Sequence, residues 1–99
     1  MNITVLGGGM VGSAIARDLV REDAFHVTVC DNDPAVLQRY VQWSIPTRQA
    51  DLSDASQLSA AIADADLVIG AVPGFMGYAT LQRIIEAGKN IVDISFFPE

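Results

Sequence analysis

One cysteine and one histidine in 99 residues exclude a metal centre assembled from thiolates and imidazoles within the chain, because a closed tetrahedral site needs four such ligands. The lone thiol, Cys30, has no disulfide partner in the chain. It lies in the apolar run Val27-Thr28-Val29-Cys30, which fits a buried thiol and a reducing compartment. Cations are scarce as well: six Lys and Arg stand against twelve Asp and Glu, a net charge of −6. The six basic residues are scattered singly, so no cationic face exists to neutralise a phosphate backbone or an anionic membrane, and nucleic acid is not expected as a partner. No apolar stretch approaches the roughly 20 residues of a membrane span, and no basic segment precedes the first strand. A soluble, cytoplasmic protein without a membrane partner is expected. The length suits one domain with a real core and is too short for two.

What is present is a rhythm. Apolar runs of strand length, at residues 3–6, 26–30, 45–50, 67–72 and 91–95, alternate with segments of helical period. That alternation predicts βαβ units around a parallel sheet buried on both faces. The first helix is expected over 10–21, with Val11, Ala14, Ile15 and Leu19 on its inner face. Asp33-Pro34 reads as a helix start, a capping carboxylate followed by proline at the first helical position, with Leu37, Tyr40 and Val41 inward. The third strand contains Pro46 and polar residues, as an edge strand does. Asp51-Leu52-Ser53-Asp54 supplies a turn and a cap for a short helix carrying Leu58, Ala61 and Ile62 on its inner side. Gly88 suits the left-handed position past the end of a fourth helix. Right-handed crossovers then give an α/β fold of doubly wound, Rossmann type: a three-layer sandwich whose parallel sheet of about five strands runs in the order 3-2-1-4-5. Ligands of such sheets bind at the carboxyl ends of the strands, where the order reverses.

At that place stands Gly7-Gly8-Gly9-Met10-Val11-Gly12, a G-x-G-x-x-G pattern with a strand before it and a helix after it. Gly7 permits the tight turn, Gly9 lets the backbone approach a diphosphate, and Gly12 allows close packing of the helix. The amides and positive end of that helix, from Gly9 through Met10 and Val11, would hold the two phosphates of a dinucleotide. About 20 residues beyond lies Asp31, at the end of the second strand, where a carboxylate accepts from the adenosine ribose hydroxyls and repels the extra phosphate of NADP. NAD is therefore expected in preference to NADP. The cofactor reading takes in Asn32 beside Asp31; the structural alternative is that Asp31, Asn32 and Asp33 form a turn and a cap. Asp51 and Leu52 fall where the adenine should lie, or equally make a turn. Ala71, Val72 and Pro73 end the fourth strand beside the nicotinamide side of the cofactor, or simply terminate it. Asp93, inside an apolar run, needs a partner if it is covered. His26 opens the second strand at the end away from the cofactor and is expected on the surface. Tyr40 and Trp43 are expected to pack in the core or at its rim.

Three segments together resemble a known family: Val5-Leu6-Gly7-Gly8-Gly9-Met10-Val11-Gly12, Ala71-Val72-Pro73-Gly74-Phe75, and the run from Ala87 to Phe96. The chain is similar, over essentially its whole length, to the N-terminal NAD(P)-binding domain of the saccharopine dehydrogenase and lysine 6-dehydrogenase group. The resemblance implies that residues 1–99 form one dinucleotide-binding domain of a larger enzyme. A further domain would supply the substrate pocket and most catalytic groups. It also implies hydride transfer at the C–N bond of a small amino acid, by way of an imine. No catalytic residue is assigned within this segment. A different class of protein, the nucleotide-sensing modules that gate potassium transporters, shares the glycine turn and the acid after strand two, but the Pro73-Gly74-Phe75-Met76-Gly77-Tyr78 loop speaks against it. The edge of the fifth strand, with Phe96-Phe97, is expected to be exposed and to favour a homodimer.

Overall fold

The computed structural model describes residues 1–71 and 82–93. In chain order these form β1 (Asn2–Leu6), α1 (Met10–Leu19), β2 (His26–Asp31), α2 (Pro34–Gln38) continued by a 3-10 turn (Arg39–Trp43), β3 (Thr47–Gln49), α3 (Ala55–Ile62), β4 (Leu67–Gly70), a helical stretch over 82–86, and β5 (Asn90–Asp93). Every strand pairing is parallel, in the order β3-β2-β1-β4-β5, as the alternation of runs predicts. The order reverses between β1 and β4, so the carboxyl ends of these two strands flank the crevice of the fold.

Side chains of successive strand residues point to opposite faces, and both faces are covered. Ile3 and Val5 of β1 join Val27, Val29 and Ile69 beneath Ala16, Leu37 and Tyr40. Leu6, Cys30 and Val68 point the other way, beneath Leu58, Ile62 and Ile84. This makes three layers: α1 and α2 on one side, α3 and the stretch 82–86 on the other. Asp33 caps α2 by accepting from the Ala35 amide at 2.9 Å, with Pro34 in the first turn. Asp54 caps α3 by accepting from Ser56 and Gln57. Gly88 takes φ 75° after the helical stretch.

Four local expectations are revised. The buried residues of α1 are Gly12 and Ala16, with Ile15 and Leu19 packed beside them, while Ala14 is exposed. With no side chain at Gly12, the helix seats its Gly12–Ala16 line against the sheet. The same helix ends at Leu19 rather than 21, because the Arg21 and Glu22 amides bond three residues back, to Asp18 and Leu19. Val41 is exposed: the helix tightens to three residues per turn after Gln38, which stacks Tyr40 under Leu37 and rotates Val41 outward. Finally, β3 is only Thr47–Gln49, its side chains all exposed, as the edge position allows. Expectations that fall on Val72, Pro73, Gly74 to Gly77, Ser95, Phe96, Phe97 and the carboxylate of Asp93 lie outside the described residues.

Candidate functional site

The glycine turn is built at the carboxyl end of β1. The Gly7 amide donates to the Cys30 carbonyl at 2.8 Å, which carries the β1–β2 pairing one residue further. Gly7 then takes φ 99°, a left-handed conformation that side-chain-bearing residues adopt at a cost. The chain reverses into α1 so tightly that a Cβ on Gly12 would run into the Gly7 carbonyl oxygen, with the Ala71 Cβ next to it at 3.6 Å. Gly12 is therefore required by the turn itself as well as by the sheet. A Cβ on Gly9, in contrast, would meet nothing within 4 Å, so the backbone there opens on free space. Gly9 caps α1 without a side chain, and its carbonyl accepts from Ser13 at 2.8 Å. Among the described residues nothing accepts from the amides of Gly9, Met10 or Val11. Unbonded amides at the positive end of a helix form a site for an anion.

Asp31 reaches back across the turn. Its Oδ2 accepts from the Gly8 amide at 2.8 Å and its Oδ1 from the Asp33 amide at 2.9 Å. The turn-forming role considered from sequence is therefore real, and the carboxylate also stands against the glycine turn. It remains half-buried, with lone pairs left to accept further donors. Gly8, a variable position of the motif, is the residue sequence reasoning missed. A Cβ there would meet Val36 Cγ1 at 3.0 Å and both Tyr40 Cε1 and Val29 Cγ1 at 3.3 Å. Tyr40 is fully buried, as core packing requires, and its hydroxyl donates to the Gly8 carbonyl at 2.8 Å. Burial raises the phenol above its ordinary pKa, and the Asp31 charge adds to the rise while Arg39 opposes it. It is a neutral donor throughout the physiological range. Its ring packs edge-on to Trp43 at a centroid distance of 5.4 Å, and Arg17 of α1 lies over Trp43 at 4.5 Å.

The other sequence candidates divide. Met10 is 87% exposed at the first turn of α1 and Val11 is half-buried. Ala71 is buried beside the turn, its amide donating to Leu6 at 2.8 Å. Asn32 is exposed, and its carbonyl accepts from Gln49 at 3.3 Å. Asp51 accepts at Oδ1 from the amide and hydroxyl of Ser53, while Leu52 is buried in the core beneath α3. His26 is exposed at the start of β2, opposite the crevice. Cys30 is buried, its thiol pushed up to about 11 by burial, with Arg48 lowering it and Asp31 raising it. Among the described residues no group of three or more His, Cys, Asp and Glu side chains is placed to hold a metal, and no helix is long and apolar enough to cross a membrane.

Residues 3–99 match the family model described as the saccharopine dehydrogenase NADP binding domain. Among solved structures the chain is similar to apo saccharopine dehydrogenase (L-Glu forming) from Saccharomyces cerevisiae, with a TM-score of 0.85 and 26% identity, covering 98% of this chain and 22% of that one. It shares its fold with an NADPH-dependent quinone oxidoreductase from Escherichia coli, at TM-score 0.74 and 21% identity over 92% of this chain and 34% of that one. It shares it too with a UDP-glucuronic acid 4-epimerase from Bacillus cereus bound to NAD, at TM-score 0.71 and 20% identity over 94% of this chain and 39% of that one. The chain thus spans less than half the length of each of these proteins.

Proposed function

Because the chain belongs to the family of saccharopine dehydrogenase NADP-binding domains, we propose that it is the cofactor-binding part of an NAD(P)-dependent oxidoreductase acting at the C–N bond of a small amino acid. The observation that carries this is the glycine turn: unbonded amides of Gly9, Met10 and Val11 at the positive end of α1, with free space over Gly9, at the switch point of the sheet. These amides hold the diphosphate. The carboxylate of Asp31, already against the turn, accepts from the adenosine ribose. Ala71, at the end of β4, borders the nicotinamide side. When bound, the dinucleotide supplies the hydride couple; the chain supplies position and electrostatics. A further domain supplies the substrate pocket, in keeping with the 22% of the yeast enzyme that this chain covers. The family match favours this function over a nucleotide-sensing module.

NAD is the preferred partner. The 2′-phosphate of NADP would bring negative charge against Asp31, and the neighbouring Asn32 and Asp33 offer no cation to receive it. Calorimetry on the full chain is expected to give a lower Kd for NAD than for NADP. Asp31→Ser should narrow the gap and weaken both ligands, since the Gly8 amide loses its acceptor. Equal affinities in the unmodified protein would remove the ribose assignment, and no binding of either dinucleotide would remove the whole proposal.

A further inference from the structure

We infer that Tyr40 is a positioning residue for the diphosphate: through the Gly8 carbonyl it aims the Gly9 amide into the crevice. This rests on the dinucleotide-binding function proposed above. The chain contains no cis peptide among its described residues, so the carbonyl of Gly8 and the N–H of Gly9, which share one peptide plane, point in opposite directions. The Gly8 carbonyl is drawn inward, 2.8 Å from a phenol hydroxyl that is itself fully buried. The Gly9 N–H must then face away from Tyr40, and among the described residues no backbone group accepts from it.

The preceding peptide is held from the other side. Asp31 Oδ2 takes the Gly8 N–H, which leaves the Gly7 carbonyl turned toward Gly12. Two side chains from distant parts of the sequence thus secure both polar groups of one glycine. They are needed because consecutive glycines have almost no intrinsic preference for one peptide orientation. If the Gly8–Gly9 plane turned over, the negative end of a carbonyl dipole would face the diphosphate and an amide donor would be withdrawn. Tyr40 in turn cannot shift readily: Trp43 meets its ring edge-on, Arg17 covers Trp43, and Val36 shares the space above Gly8.

The test is Tyr40→Phe in the full chain, which keeps the ring and its packing and removes only the hydroxyl. ADP-ribose and NAD, which carry the diphosphate, are expected to bind about 10- to 100-fold more weakly, the loss of one amide bond to a charged acceptor, while adenosine, which lacks it, binds as before. Ile62→Ala, in the core on the opposite face of the sheet, serves as the packing control and should lower Tm without this selective loss. Should Tyr40→Phe fail to fold, the wild-type chain still decides: on titration with ADP-ribose the Gly9 amide resonance must move strongly and the Gly8 resonance, held by Asp31, must move little. Equal weakening of adenosine and ADP-ribose, unchanged ADP-ribose affinity in the variant, or a Gly8 shift larger than that of Gly9 would each overturn the role of Tyr40 while leaving dinucleotide binding intact. A wild-type chain that binds neither NAD nor ADP-ribose would overturn the functional proposal, and this one with it.

Discussion

A methyl group at Gly12 would run into the carbonyl oxygen of Gly7, whereas one at Gly9 would touch nothing, and this contrast separates folding from binding at the scale of single residues. Gly12→Ala forces the first turn of α1 away from the sheet and is expected to cost about 1–3 kcal/mol or more, the usual penalty of overpacking, seen as a clear drop in Tm. Gly9→Ala should stay within about 1 kcal/mol of the wild type, the scale of a helix-cap exchange, yet lose dinucleotide affinity because its methyl stands where the diphosphate approaches. Calorimetry paired with thermal unfolding checks both, and a Gly9→Ala chain that binds NAD normally would show that the ligand lies elsewhere. The backbone demands on Gly7 and Gly12 were legible in the sequence, since glycine spacing after a strand is a constraint on the backbone alone. The importance of Gly8 was not. It comes from Val29, Val36 and Tyr40, side chains that reach Gly8 only after β2 and α2 have packed over it.

At the scale of elements, helix starts follow from short-range chemistry. Asp33-Pro34 and Asp54 begin their helices where their residue types predict, because a capping carboxylate needs only amides two or three positions away. The Ser56 hydroxyl, with the Gln57 and Ser56 amides, holds the Asp54 carboxyl below its ordinary value of 3.8. A depressed value means the charged cap is favoured in the folded state, so its stabilisation is complete above the ordinary value and is lost as pH falls through the lower, folded one. Asp54→Ala is expected to lower Tm at neutral pH, and the gap to wild type should close on acidification to about pH 2. A gap that persisted there would mean that the charge plays no part. Helix ends and inner faces were less legible. The 3-10 turn Arg39–Trp43 carries Tyr40 inward and Val41 outward, against the 3.6 period, since the run of residues does not say where a helix will tighten.

For the molecule as a whole, the sheet order sets which groups are reachable. Cys30 sits in β2, between β1 and β3, its side chain beneath α3, and burial keeps its thiol protonated, with a pKa pushed up to about 11. Thiolate is the reactive form, so alkylation by iodoacetamide at about pH 8 is expected to be slow and to accelerate with denaturant in step with global unfolding. Rapid labelling of the native chain would show that β2 opens locally. The strand order, both helix layers and the place of the crevice could be read from the sequence, because apolar periodicity, crossover handedness and glycine spacing are local or near-universal rules. What only the tertiary structure decided is who holds the turn: Asp31 gripping the Gly8 amide, and Tyr40 its carbonyl. Hydrogen-bond partners so far apart in sequence are chosen by how β2 and α2 pack against the β1–α1 turn, and no spacing of residue types encodes that contact.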